Sequence, residues 1–428
     1  MERGTMIKVA GGCRLEGRVE APPSKSYTHR AAVLASLADG SSEILRPLES
    51  RDTMATFRGC IALGARATRR EERWVIEGCE ALRTPDDVIN VDNSGTTIRI
   101  LTAVSALAPG FTVLTGDESI RRRPMGPLLE ALHQLGVECW STKGDGTPPI
   151  IVKGGGVRGG EAFIRGDMSS QFISALLVVS PAAENDTSIF LTSELKSKPY
   201  VDITIEVMEA FGVRVEREER AFHTRRERYK PTRFLVPGDF SSASFILAAA
   251  AITNSDVTVT NLDADSPQGD KKIIRVLREM GCDVDVGEKW VRVRGGGGLT
   301  GVNVDCGDTP DLLPVVSVLG AFAEGETRIF NAEHVRFKES DRISVMTAEL
   351  SKMGVDVEER RDGLVIRGGK VKGGAVDAHG DHRVFMALVV AGLAAEGETL
   401  VSGEESVDVS YPGFLDDLAR IGASFRRI

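Results

Sequence analysis

One pattern recurs six times along the 428-residue chain, about every seventy residues, and a repeat of that kind limits the possible folds more than any other feature. A polar cap, often with Gly or Ser, leads into a run of small apolar residues, then Gly, then a β-branched stretch. The copies read SKSYTHRAAVLASLADGSSEI from Ser24, NSGTTIRILTAVSALAPGFTVL from Asn93, SSQFISALLVVSPAAENDTSIFL from Ser169, SSASFILAAAAITNSDVTVT from Ser241, TPDLLPVVSVLGAFAEGETRIF from Thr309 and GDHRVFMALVVAGLAAEGETLV from Gly380. A second helical stretch follows in each copy and stops at Gly64, Gly136, Gly212, Gly281, Gly354 or Gly422. Gly just past a helix is the expected left-handed residue. Alternating strands such as Val213-Arg-Val-Glu and Asp283-Val-Asp-Val come next.

Each copy therefore reads strand–helix–strand–helix–strand, an α/β unit. One unit cannot bury both faces of its sheet, whereas several packed around shared helices can. Ala-rich helices such as the one spanning Phe245 to Ala251 are expected to be buried on all sides. Pro22-Pro23 precedes the first helix and Pro237-Gly238 the fourth. We therefore expect two lobes of three copies each. One is discontinuous (1–20 and 238–428) and the other runs over 21–237, with two chain crossovers. The strand that copy six lacks must follow it or come from the N-terminus. Ligands are expected in the cleft between such lobes.

Composition removes several classes. The formal net charge of -9 argues against a nucleic-acid binder, and the 42% hydrophobic content against wholesale disorder. The start has no apolar stretch of a secretory signal, and no apolar run reaches the length of a membrane span. The six cysteines form no C-x-x-C pair, so a reducing, cytoplasmic setting is expected and zinc is not. His379 and His382 lack an evident third ligand, so no metal is expected. The runs Gly154-Gly-Gly and Gly295 to Gly298 read as hairpin turns, since neither fits a dinucleotide or P-loop pattern.

The unusual charges collect at the repeat caps. Lys25 and Arg30 lie in copy one, Arg99 in copy two and Arg383 in copy six. Arg123 and the group Arg336, Lys338, Arg342 open the second helices of copies two and five. Helix N-termini favour anions, and Arg forks suit carboxylate and phosphate. In an acidic chain, this convergence suggests a site for multiply charged anions. Two acids, Asp311 and Glu339, stand among these cations. A carboxylate so placed suits a base that must stay ionised.

With these motifs in hand, the whole chain resembles the enolpyruvyl transferases, on the branch that uses shikimate 3-phosphate. PSKSYTHR (23–30), NSGTTIR (93–99), LTGDESIRRRP (114–124), SSQF (169–172), SKPYVDIT (197–204), GDFSSASF (238–245), TPD (309–311), RFKESDR (336–342) and GDHRVFM (380–386) carry the resemblance. It implies two lobes of three βαβαββ units. It also implies transfer of the enolpyruvyl group of phosphoenolpyruvate to the 5-hydroxyl of shikimate 3-phosphate, with release of phosphate and no cofactor. Ser26, Ser169, Ser170 and Ser197 would hold the shikimate phosphate, with Lys198 nearby. Arg30, Asp311 and Lys338 would grip the carboxylate and hydroxyls, and Gln171 and Tyr200 would line the ring. Lys25 serves both substrates in this reading. With Arg123, Arg342, Arg383 and Gln171 it would bind phosphoenolpyruvate, and Gly95 would allow close backbone approach. Asp311 would take the hydroxyl proton. Glu339, helped by Lys25, would protonate the methylene carbon and later remove a proton.

Two departures stand out. His334 replaces the asparagine that many members carry before R-x-K-E, so a titrating ring would face shikimate. The segment from Glu404 to Ser410 lacks the lysine often found there, which leaves fewer cations for phosphoenolpyruvate. The alternative acceptor is UDP-N-acetylglucosamine. That sister group has Lys-Asn in the first cap and a cysteine before the second helix of copy two. Here Lys25-Ser26 stands in the first place, and Asp117 to Arg123 contains no cysteine. A non-catalytic scaffold would not need Asp311 and Glu339 among cations, and an RNA-end enzyme fits poorly with the acidic charge. A monomer is expected, with these small molecules as its only partners.

Overall fold

The computed structural model describes residues 6–79 and 81–428. The chain forms two compact units and passes between them twice. The continuous unit is Pro23–Val236; the split unit joins the N-terminal segment ending at Pro22 to Pro237–Ile428. In the continuous unit the helices are α1 (Lys25–Leu37), α2 (Arg51–Ala62), α3 (Gly95–Ser105), α4 (Gly126–Gln134), α5 (Ser170–Val179) and α6 (Lys198–Ala210). The split unit holds α7 (Phe240–Ile252), α8 (Lys272–Glu279), α9 (Leu313–Ala321), α10 (Arg342–Lys352), α11 (His382–Ala394) and α12 (Phe414–Arg420).

Each of the six repeats builds one four-stranded sheet with the same topology. Its first strand runs parallel to the second, and the fourth lies antiparallel between the second and the third. Two sheets of the split unit are completed by the N-terminal segment. Met6–Ala10 is the fourth strand of copy six, with Ile7 opposite Val401 and Arg427. Glu16–Glu20 is the first strand of copy four, with Val19 beside Val259. Copy one closes in the same way, because Arg233–Leu235 pairs in parallel with Ser41–Leu45. The strand missing from copy six thus comes from the N-terminus, one of the two sources that the repeat left open. The third strand is an edge in every sheet, and several are strongly charged, as in Arg66–Arg70 and Asp356–Arg360. Charge on an edge discourages pairing with another chain.

Burial follows the sequence pattern. In α7 every residue from Phe240 to Ala251 is buried, as the Ala-rich run predicts. α7, α9 and α11 pack against one another, with Phe245, Val316 and Leu388 in the split unit's core. In the continuous unit α3 packs on α5 and α1 on α6, around Leu34, Leu101 and Leu176. All six helix-stop glycines have positive φ, from 81° at Gly354 to 120° at Gly64. These are values a side chain rarely adopts.

The Gly-rich runs are not hairpin turns. Gly154 and Gly295 leave their sheets beside the C-terminal end of the repeat's first helix, where a Cβ would collide with the carbonyl of Ala108 or Ala250. Gly368 meets Ala323 in the same way, whereas its neighbour Gly369 faces open space. Gly368→Ala should therefore lower stability by about 1–3 kcal/mol, and Gly369→Ala should stay within about 1 kcal/mol of the parent. Apparent urea midpoints of the two variants test this, and equal midpoints would contradict it.

Candidate active site

In the continuous unit the candidate residues cluster at helix N-termini. Lys25 opens α1, and its Nζ lies 3.2 Å from Oδ2 of Asp52 in the first turn of α2. Ser169 caps α5, its hydroxyl accepting from the Gln171 N–H at 3.3 Å, and Ser170 begins that helix. The Gln171 side chain accepts from Arg99 and donates to Thr96 at 3.0 Å. Arg99 also lies over the Phe172 ring, 5.3 Å from its centroid. Arg123, largely buried, donates to Asn93 at 3.3 Å and Ser119 at 3.2 Å. A Cβ on Gly95 would come within 2.5 Å of the Arg123 guanidinium. The space that glycine leaves therefore belongs first to that arginine. Ser197 precedes α6 in a left-handed conformation with φ 56°, which a non-glycine residue rarely takes.

Arg30 returns its guanidinium to the start of α1. It is the sixth residue of α1 and only 1% exposed. Its side chain leans back toward the helix start, as helical side chains do. There it donates to the Ser26 carbonyl at 2.9 Å, the Tyr200 carbonyl at 3.0 Å, Thr204 at 2.6 Å and Ser174 at 3.2 Å. Arg30 thereby ties α1 to α5 and α6 and fixes the backbone around Ser26 and Tyr200. Burial pulls its pKa down to about 10, so it stays charged at neutral pH. Beside it His29 is held neutral, since burial and then Lys25 and Arg30 depress its pKa well below the usual value. His29 joins a chain of hydroxyls: Thr56 at 2.7 Å, Thr97 at 2.6 Å beyond it, then Ser94, the cap of α3, at 2.6 Å.

The split unit gathers the carboxylates. Asp311 lies in the 3-10 turn Pro310–Leu312 that leads into α9. Glu339 lies between the 3-10 segment Glu333–Phe337 and α10. Both meet the buried guanidinium of Arg342, Asp311 at 2.7 Å and Glu339 at 2.9 Å. Arg383, in the first turn of α11, reaches Asp311 at 3.1 Å. His334 is buried in the 3-10 segment, and Lys338 follows it in extended backbone. Arg336 does not join this group. It is spent on Asp341 at 2.8 Å, Glu359 at 2.9 Å and the carbonyls of Arg360 and Arg361. The segment Glu404–Val409 is a 3-10 helix in which Glu404 pairs with Arg427 at 2.7 Å, and Glu405 is exposed. His379 pairs with Glu349 at 2.8 Å, while His382 is buried in α11. Among the described residues no group of three or more His, Cys, Asp or Glu side chains is placed to hold a metal ion.

Several residues of these clusters were not singled out by motif reading: Asp52 beside Lys25, Asp381 beside Arg342, and Asp270. Capping chemistry was the available signal for Asp381, since it and Asp239 are the Asp caps of α11 and α7. Asp270 gives no such signal. It accepts from the Ser241 hydroxyl and is fully buried, and that burial, with Asp311 adding to it, pushes its carboxyl up to about 7.

Comparisons with known proteins show the family and the fold. A profile of the EPSP synthase (3-phosphoshikimate 1-carboxyvinyltransferase) family matches residues 9–418. A 3-phosphoshikimate 1-carboxyvinyltransferase of Methanocaldococcus jannaschii is 50% identical over 416 residues, covering 96% of this chain and 97% of the relative. One from Methanocella arvoryzae is 51% identical over 410 residues, covering 95% and 96%. Among solved structures, an EPSP synthase from Acinetobacter baumannii superposes with a TM-score of 0.83 at 28% identity, over 99% of this chain and 100% of that one. The fold is that of the two-lobed enolpyruvyl transferases, repeated βαβαββ units included. Within that class, the chain belongs to the EPSP synthase family.

The Asp270 carboxyl gives a pH signature. Folded, it keeps a proton that the unfolded chain loses near the ordinary value of 3.8, so stability falls as pH rises from about 4 to 7. Asp270→Asn removes that titration. The variant should melt close to the parent at pH 4.5 and about 4 °C or more above it at pH 8. A difference that does not change with pH would contradict the assignment.

Proposed function

We infer the roles of individual residues from an activity that the family establishes. The chain is an enzyme that transfers the enolpyruvyl group of phosphoenolpyruvate to the 5-hydroxyl of shikimate 3-phosphate, a step toward aromatic amino acids. The observation that carries the assignment is the pair of carboxylates, Asp311 and Glu339, on one buried guanidinium. Unlike Asp381, which is wholly buried on the same guanidinium, these two acids are partly open to a substrate, and addition followed by elimination needs a base and an acid.

In this reading both clusters serve one reaction. Ser26, Ser169, Ser170, Ser197 and Lys198 hold the shikimate phosphate through hydroxyls, an ammonium and helix N-terminal N–H groups. Gln171 and Tyr200 line the ring, while Lys338, His334 and Asp311 meet its hydroxyls and carboxylate. Arg30 joins them on the carboxylate and hydroxyls, and it also fixes the backbone of Ser26 and Tyr200. Lys25, Arg123, Arg342 and Arg383 neutralise phosphoenolpyruvate, with Arg99 added through its contact to Gln171. No cation comes from 404–410, so the split unit's grip rests on Arg342 and Arg383.

Asp311 accepts the proton of the attacking hydroxyl as its oxygen bonds to C2 of phosphoenolpyruvate. Glu339, with Lys25, delivers a proton to C3, giving a tetrahedral adduct among the cations. Glu339 then takes a proton back from C3 as the C2–O bond to phosphate breaks, and the Asp311 proton leaves with phosphate. A cytoplasmic monomer without metal or organic cofactor is the working state that we propose. Among the described residues no helix is long and apolar enough to cross a membrane.

Asp311→Asn and Glu339→Gln keep shape and remove one proton-transfer group each. Turnover should fall by roughly 10²–10⁴ in both, the usual worth of a general acid or base. Both variants should remain folded, with some loss of melting temperature because each removes one charged partner of the buried Arg342. Near-parental turnover in a folded variant would overturn that residue's role.

A further inference from the structure

Arg342 faces three carboxylates, and two of them change protonation during turnover in the mechanism above. The third, Asp381, has a different character. It is 0% exposed, deeper than either Asp311 or Glu339. Its two oxygens take the Nε edge of the guanidinium, Oδ2 at 2.8 Å from Nε and Oδ1 at 3.3 Å from the terminal nitrogen that also meets Glu339. The other terminal nitrogen is left to Asp311. Asp381 is itself held fast. It caps α11 by accepting the Arg383 N–H at 2.9 Å, and it accepts the Ser340 hydroxyl at 3.1 Å.

We propose that Asp381 is a positioning residue, a fixed counterion that keeps Arg342 charged and aimed while Asp311 and Glu339 exchange protons. The proposal rests on the reading in which Arg342 binds phosphoenolpyruvate. Taking a guanidinium out of water is costly, and only buried partners offset it. Burial acts to lower the pKa of Arg342. Asp381, ahead of Glu339 and Asp311, holds it well above the ordinary arginine value. Were the two catalytic acids its only partners, each proton transfer would change the charge balance of the anion's main ligand. A carboxylate wedged between a helix cap, a hydroxyl and the guanidinium edge takes part in neither proton transfer. By engaging the Nε edge from one side, Asp381 also sets the direction in which the rest of the fork points. Through its bond to the Arg383 N–H, the same residue fixes the start of the helix that carries the second arginine.

Asp381→Asn separates the roles, because Asn caps a helix as well as Asp does but carries no charge. The Michaelis constant for phosphoenolpyruvate should rise at least ~10-fold, while the dissociation constant of shikimate 3-phosphate alone stays within about twofold. Arg342→Lys should also raise the phosphoenolpyruvate constant. In that background Asp381→Asn should add less than about twofold, since residues that act through one another are not additive. Ser340→Ala is a milder variant that leaves every charge in place. It should raise the same constant about two- to fivefold, and only when Arg342 is present. Penalties that multiply in the double variant would overturn the proposal and show that Asp381 acts independently of Arg342. A parental constant in Arg342→Lys would instead overturn the assignment of Arg342 to phosphoenolpyruvate, and the proposal with it.

Discussion

A helix buried along its whole surface can offer polar chemistry only at its ends, and six such helices organise this molecule. α7 has no exposed face, and α1, α3, α5, α9 and α11 are nearly as deep. Their small residues let neighbouring helices approach closely, and the sheets cover what the helices leave. Each N-terminus then presents backbone N–H groups, and α3, α5, α7 and α11 add a capping side chain, a setting that suits anions. Lys25, Gly95, Ser169 and Ser170 stand at three of these ends, and Asp311, Asp381 and Arg383 at two others. The chemistry is thus placed by the packing of the apolar stretches behind it.

The same burial makes charge balance the second requirement. Arg30 and Arg342 are each about 1% exposed, yet they are satisfied differently. Arg30 spends its donors on carbonyls and hydroxyls, and burial lowers its pKa. Arg342 is met by three carboxylates, which raise its pKa against the same burial. Arg30 therefore fixes a frame, while Arg342 sits where charge changes hands. In the split unit Asp311 and Asp239 add negative charge around the buried Asp270, against the positive charge of Arg383. The proton that Asp270 keeps up to about pH 7 relieves part of that negative charge.

Much of this was legible in the sequence because the repeat is strict. The Gly stops at Gly64 to Gly422 and the all-apolar run of α7 follow directly from local backbone preference and periodicity. The need for a borrowed strand in copy six was also visible, and Met6–Ala10 supplies it. What could not be read was set by contacts far apart in the chain. Asp52 meets Lys25 across 27 residues, Asp270 meets Ser241 across 29 and Asp381 meets Arg342 across 39. No spacing rule predicts such pairs. The partners of Arg30 on α5 and α6 were hidden for a related reason: its motif position puts it near the cap, but only packing brings Ser174, Tyr200 and Thr204 to it. The glycine runs read as turns because sequence records their freedom and not the carbonyls pressed against them.

The central claim is that cations at helix ends and the paired acids on Arg342 serve one transfer, with a phosphorylated shikimate as acceptor. Phosphate release from phosphoenolpyruvate by the purified chain, measured with each acceptor in turn, tests it most directly. Release should require shikimate 3-phosphate and should be absent with UDP-N-acetylglucosamine. Release that depends on the sugar nucleotide, or no release with shikimate 3-phosphate from a folded protein, would contradict it.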